Sequence, residues 1–317
     1  MGNMKIKTSG SAFFTNPVIV FVGALIVTAL WGSGAPFIKL GYQYCISSGD
    51  IPSTLLFAGI RSLFAGIITI LCYSVMQKRI VYPKRESLLE IMGVGSFQTV
   101  IHYILYYVGL ANTTVVKGAI ASGASPFFDL LFATLVFKQE KFTLKKLIAI
   151  LIGFSGIVVA NVSGLTFNMN FLGDGFVILS GVFFSISLML VKKISQTEDP
   201  VVITGYQFIF GGAILIIGGL SFGGSIRFDT LASISIIAYL SVSIAIAYIL
   251  WSLLLKYNPV TRVSVFFFMM PVFGVIFSQI ILPGDGEFNL PSVVTSLLLF
   301  CIAVVMINYT PKKDRLK

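Results

Sequence analysis

Ten apolar runs, each close to the length of helix needed to cross a bilayer core, dominate this chain and leave it few folds to choose from. They are expected at about 17–38, 54–76, 88–109, 113–137, 145–162, 171–191, 201–220, 231–255, 261–282 and 291–309. In lipid every backbone N–H and C=O must be satisfied internally, so runs of this kind form helices. A membrane barrel would instead need short strands of alternating polarity. The chain is 56% hydrophobic and 11% charged over 317 residues, with a mean hydropathy of +0.96. A soluble protein of that size needs more polar surface than this provides. The expected class is therefore an all-α integral membrane protein.

The net charge of +10 would suggest nucleic acid in a soluble chain. Here 18 of the 22 Lys and Arg residues fall in the two tails, in every second loop or, for Arg262, just inside the span that follows one, with Lys78 to Arg85, Lys138 to Lys146, Lys192 with Lys193, and Lys256 among them. The opposite loops hold Arg227 and the acids Asp50, Asp174, Asp229, Asp285 and Glu287. This alternation supports ten spans and predicts both termini in the cytoplasm. The basic residues read as topology signals, with no nucleic-acid partner. Cys45, Cys72 and Cys301 are isolated, so neither a disulfide framework nor a metal site is indicated.

The halves repeat. Leu56 to Ile68 aligns with Val202 to Ile214 at an offset of 146, which puts Arg61 opposite Gln207. At an offset of 145, Tyr103 meets Tyr248, Tyr106 meets Trp251, Lys117 meets Arg262, Pro126 meets Pro271 and Glu140 meets Asp285. Five spans is an odd number, so the second copy enters the membrane inverted. The organisation expected is a tail at 1–16, a five-helix repeat at 17–162, a second, inverted repeat at 163–310 and a tail at 311–317. Inverted repeats are a common build of secondary transporters, with the substrate near the midplane between them.

Four features carry a family resemblance. They are Trp31-Gly-Ser-Gly-Ala-Pro-Phe-Ile-Lys39 in the first span, Arg61 in the second, the Ser125-Pro126 helix ending at Glu140, and its second copy around Pro271. In this order they resemble the signatures of the drug/metabolite transporter superfamily, EamA-type branch. The resemblance implies ten helices in two inverted halves and a central cavity lined by helices 1, 3, 4, 6, 8 and 9. It also implies export or exchange of small metabolites. Asp129 and Lys117 are not part of the family pattern, and Gly284-Asp285-Gly286-Glu287 is displaced from its usual Gly-Glu.

Several side chains are candidates for the chemistry. Asp129 stands about 6 Å from the middle of its span by helix rise. Ionised and unpaired it would cost several kcal/mol, so it is neutral, paired or facing water. Ser122, Ser125 and Pro126 share its face roughly. A substrate amine contact or proton-coupling carboxyl is one reading, and a structural partner for another helix is the other. His102, the sole histidine, forms a stripe with Gln98 and Tyr106 at four-residue spacing. Such a stripe suits a cavity wall or proton coupling, or else a neutral hydrogen-bonded ring. Arg61 can attract a carboxylate, although structural pairing is the preferred reading. Lys117 and Arg262 lie near opposite membrane faces, as guards of a path or as interface anchors. Pro126 and Pro271 each remove a backbone hydrogen bond and can serve as hinges. Trp31, Tyr106, Phe184, Tyr248 and Trp251 fall on helices that the resemblance makes cavity-lining, where rings can clamp an apolar or cationic group.

The expected function is secondary transport, by alternating access, of a small organic metabolite. An amino acid or related zwitterion is favoured because acid and cations are both present in the wall, and protons are the candidate coupling ion. Alternatives are a uniporter or channel-like facilitator for a nucleoside, sugar or organic cation. An intramembrane enzyme is disfavoured by one His, no HExxH, no Gly-x-Ser-x-Gly and no paired carboxylates. No cofactor is expected. The lipid bilayer is the expected surrounding, in a bacterial plasma membrane, and a homodimer is compatible with the sequence.

Overall fold

The computed structural model describes residues 12–46, 50–113, 115–160, 169–281 and 290–308. The readings made for the outer parts of both tails, for Asp285 and for Glu287 lie outside them. The described residues form ten helical passes. They are α1 (Pro17–Cys45), α2 (Ile51–Gln77), α3 (Arg85–Ala111) and α4, which is broken into Val115–Ser122 and Ser125–Leu131 with a π-helical end Phe132–Val136. There follow α5 (Leu144–Ala160), α6 (Phe171–Ile194), α7 (Pro200–Ser221), α8 (Leu231–Tyr257), α9 (Val260–Ile281) and α10 (Leu290–Asn308). Seven of these are long and apolar enough to cross a membrane by themselves; α4 and α10 hold shorter apolar helices, Ile120–Val136 and Val294–Ile307, and α5 has 17 residues.

Starts are set by caps. Asp50 accepts from Ser53 N at 2.6 Å to begin α2, and Asp199 accepts from Val201 N at 2.8 Å to begin α7, each just ahead of a proline in the first turn. A side-chain acceptor satisfies an orphan donor there, and proline lacks the N–H that would go unused. Thr230 and Ser233 form a reciprocal capping box at α8. One expectation needs correction: α1 runs to Cys45, not 38. The added turns are held inside, since Cys45 is fully buried with Phe57, and Gly41 lies against the Phe57 ring.

The packing shows the inversion residue by residue. The helices α2 and α7 cross backbone to backbone. A methyl group at Gly59 would meet the Gly212 carbonyl at 3.0 Å, and one at Gly212 would meet the Gly59 carbonyl at 2.9 Å. Gly59 faces Ile216 while Gly205 faces Ile70, and Gly66 faces Ile209 while Gly212 faces Leu63. At the 146-residue offset each contact of a pair is the image of the other, which requires a two-fold axis in the membrane plane. Only glycine permits so close an approach of two helix backbones. The rest obeys the same axis. α1 packs on α8 and α9, α6 packs on α3 and α4, and α5 pairs with α10. One end of the bundle carries the Lys78, Lys138, Lys192 and Lys256 loops (the basic face below). The other carries Asp50, Asp174 and Asp229 (the acidic face).

Candidate functional site

The centre of the bundle is a cluster of rings. Trp31 of α1 stacks on Phe267 of α9, with centroids 5.4 Å apart and planes at 12°. Tyr248 and Trp251 of α8 each lie 5.1 Å from Trp31. Phe184 of α6 sits 5.6 Å from Phe267 and 5.1 Å from His102 of α3, which stacks on Tyr106 at 5.6 Å. Four of the predicted aromatic residues thus meet in one place, with Tyr106 one ring further out. The local sequence explains the seating. Gly32 lets α9 approach, since a methyl there would lie 2.8 Å from Met270 O. Ser33 Oγ and Tyr239 OH share a 2.6 Å hydrogen bond that ties α1 to α8. In α9, Pro271 leaves the Phe267 carbonyl without its usual helical donor, and Val265–Phe268 is wound as a tighter 3₁₀ turn. That turn presents Phe267. The cluster is not purely apolar: the indole Nε1 atoms of Trp31 and Trp251 are buried without a hydrogen-bond partner.

Toward the basic face lies Asp129, fully buried. Ser185 of α6 and Ser264 of α9 stand beside it. Even so, neither carboxylate oxygen, nor Ser264 Oγ, has a hydrogen bond of good geometry. Ser185 Oγ donates to Ser125 O at 3.4 Å instead. α6 reaches α4 here because Gly181 faces Ser125 Oγ with no side chain between. The predicted stripe Ser122, Ser125, Asp129 therefore faces α6, with Tyr106 of α3 beside Ser122. Helix α4 is interrupted at Gly123 and Ala124, one turn of chain before Asp129, where Pro126 cannot donate to Ser122 O. On α3 a π-helical stretch, Ser96–Ile101, holds Gln98, which is buried, and ends at His102, whose Nδ1 lies 3.1 Å from Ser180 O. Such stretches recur at functional sites in membrane and soluble helices alike.

Toward the acidic face lies Arg61, 6% exposed. Its Nη2 donates to Tyr107 OH at 2.6 Å, and its guanidinium lies 5.4 Å above the Tyr103 ring. The repeat mate Gln207 accepts from Thr99 Oγ1 at 2.7 Å.

The remaining charged candidates sit at the ends of the bundle. Lys117 pairs with Asp174 at 3.7 Å, and Asp174 also accepts from Asn170 N at 2.9 Å and from Thr113 Oγ1. Arg262 donates to Asn258 Oδ1 at 3.2 Å, and Asn258 Nδ2 donates to Phe14 O at 2.8 Å. The basic face also holds a knot between the halves. Glu140 Oε1 accepts from Thr261 N at 3.1 Å, and Oε2 accepts from Thr261 Oγ1 and, at 2.7 Å, from Lys146 Nζ. This places the carboxylate at the N-terminus of α9, where orphan amides and the helix dipole favour it.

Sequence reasoning did not single out Phe267, Ser185, Ser264, Tyr42 or Tyr107. Ser264 carried a usable signal, standing two residues from Arg262 and followed by no hydroxyl until Ser278. The others had none beyond their residue type.

Comparison with known proteins bears on this arrangement. The profile of the EamA-like transporter family matches twice, over residues 18–162 and 171–309. An uncharacterized transporter of Bacillus subtilis, YvbV, is 23% identical over 303 residues, covering 90% of each chain. An uncharacterized transporter of Archaeoglobus fulgidus is 25% identical, covering 82% of this chain and 88% of its own. A solved crystal structure superposes with a TM-score of 0.75 at 14% identity, covering 91% of this chain and 96% of the other, a likeness of fold alone. With ten helices in two inverted halves and both halves matched, the chain belongs to the EamA-like transporter family.

Proposed function

We propose that this membrane transporter is a secondary carrier working by alternating access, with an amino acid or related zwitterion as its substrate and Asp129 as the carboxyl that couples protons. The observation that carries the reading is the state of Asp129: fully buried, with Ser185 and Ser264 beside it but neither oxygen in a hydrogen bond of good geometry. A carboxyl kept in that condition costs stability and suits a group that gains its partner from a proton or a substrate amine during the cycle. The rings of Trp31, Phe184, Tyr248, Trp251 and Phe267 supply the apolar body of the site, and Ser122, Ser125, His102 and Gln98 its polar flank.

The halves divide at about 162 and 163, and the basic face lies in the cytoplasm with both termini. A bacterial plasma membrane is the setting this arrangement suits. The Glu140–Thr261 knot then closes the cytoplasmic mouth between α4 and α9. The broken segment of α4 and the 3₁₀ turn of α9, each next to a proline, are where these helices bend as that mouth opens.

The test is flux through reconstituted vesicles. Uptake of a labelled amino acid should saturate and be stimulated by unlabelled substrate on the far side. Asp129→Asn should lose accumulation driven by a pH gradient yet keep counterflow. Linear, unstimulated flux would rule out a carrier, and unchanged accumulation in the variant would remove the role of Asp129.

A further inference from the structure

Arg61 is a buried cation with no carboxylate near it among the described residues. Its electrostatic surroundings are the phenols of Tyr42, Tyr103, Tyr107 and Tyr248, contributed by α1, α3 and α8. Tyr107 OH takes one donor, Nη2, and the Tyr103 ring covers a face of the guanidinium. The buried Nε has no partner. An arginine present only to join α2 to α3 has no need of four phenols drawn from both halves. Burial of an unmatched charge is costly and is retained where a complementary group arrives. Phenol hydroxyls and a guanidinium are, moreover, the donors that hold a carboxylate. The group is also well placed: Tyr248 lies 5.1 Å from Trp31, so the central cluster begins one ring away.

We infer that Arg61 and the surrounding tyrosines form an anion subsite that takes the carboxylate of the transported solute. The inference rests on the carrier reading and narrows it. Solutes lacking an anionic group, such as polyamines, nucleosides and neutral sugars, are poor substrates. Arginine suits the task because its fork offers several donors at fixed angles, where lysine offers a point charge.

The experiment compares thermal stability of the purified protein in lipid nanodiscs with matched pairs of compounds: leucine and isoamylamine, phenylalanine and phenethylamine, lysine and cadaverine. Each pair differs by one carboxylate, and ligand binding raises stability by mass action. At least one amino acid should stabilise the wild type while its amine does not. In Arg61→Gln the affinity for that amino acid should fall at least about tenfold, with partial recovery in Arg61→Lys. Tyr107→Phe, which keeps the charge, should still discriminate between the members of the pair, and it guards against a folding defect at Arg61. The subsite is overturned if the amines stabilise as well as the amino acids, if Arg61→Gln keeps the discrimination, or if no carboxylate stabilises the wild type. Saturable counterflow of an amine or nucleoside in that last case would leave the carrier standing without this subsite, whereas absence of counterflow for every solute would remove the carrier itself.

Discussion

Two buried carboxylates on one stretch of chain are treated in opposite ways. Glu140, with a side chain 4% exposed, receives three donors and closes on the first turn of α9. Asp129, fully buried on the same span, receives none of good geometry. Both lie between α4 and α9, and both cost desolvation. The difference is in what surrounds them: a helix start and a lysine for one, two serines for the other. A satisfied carboxylate is a clamp, since its partners repay its burial. On the proposed function, an unsatisfied one is held by the fold for a partner that comes and goes. We propose that satisfaction of hydrogen bonds, rather than burial, separates structural from functional charges in this bundle. The Nε1 atoms of Trp31 and Trp251 and the Nε of Arg61 share the lack of a partner, as do Thr69 Oγ1 and Gln207 Nε2.

Stability measurements can break the contrast. The largest effect is expected at Glu140. Glu140→Ala strands the Thr261 donors and Lys146, and should cost about 2 kcal/mol, less than a fully buried pair would because Lys146 is 20% exposed. Thermal unfolding in nanodiscs would read this directly. A loss below about 0.5 kcal/mol would show that the knot clamps nothing. The smaller effect is expected at Asp129. Asp129→Asn removes no hydrogen bond of good geometry and should stay within about 1 kcal/mol of wild type in either direction. A penalty equal to that of Glu140→Ala would place Asp129 among the structural groups.

How much of this was legible in the sequence follows from the physics of each feature. The ten spans were, because lipid imposes a length on every one of them. The inversion was too, because five spans per half is an odd number; the repeat itself survives at Gly59, Gly66, Gly205 and Gly212, where only glycine lets α2 and α7 touch. The central rings were legible as residues on the right helices. Their meeting was not, since Phe267 reaches Trp31 only through a 3₁₀ turn that no periodicity announces. Arg61 was expected to be paired structurally, and its ring of phenols from distant helices was out of reach of one-dimensional spacing. Lys117 and Arg262 looked alike as repeat mates. One meets a carboxylate in the first turn of α6 and the other an asparagine that caps the end of α8.

The most direct measurement uses dicyclohexylcarbodiimide, a membrane-permeant reagent for carboxylic acids in apolar surroundings, followed by peptide mass spectrometry. Asp129 should be modified in preference to Glu140, and the transported amino acid should slow the reaction at Asp129. Preferential labelling of Glu140, or labelling of Asp129 that no substrate slows, would contradict the assignment of the unpartnered carboxyl to the transport site.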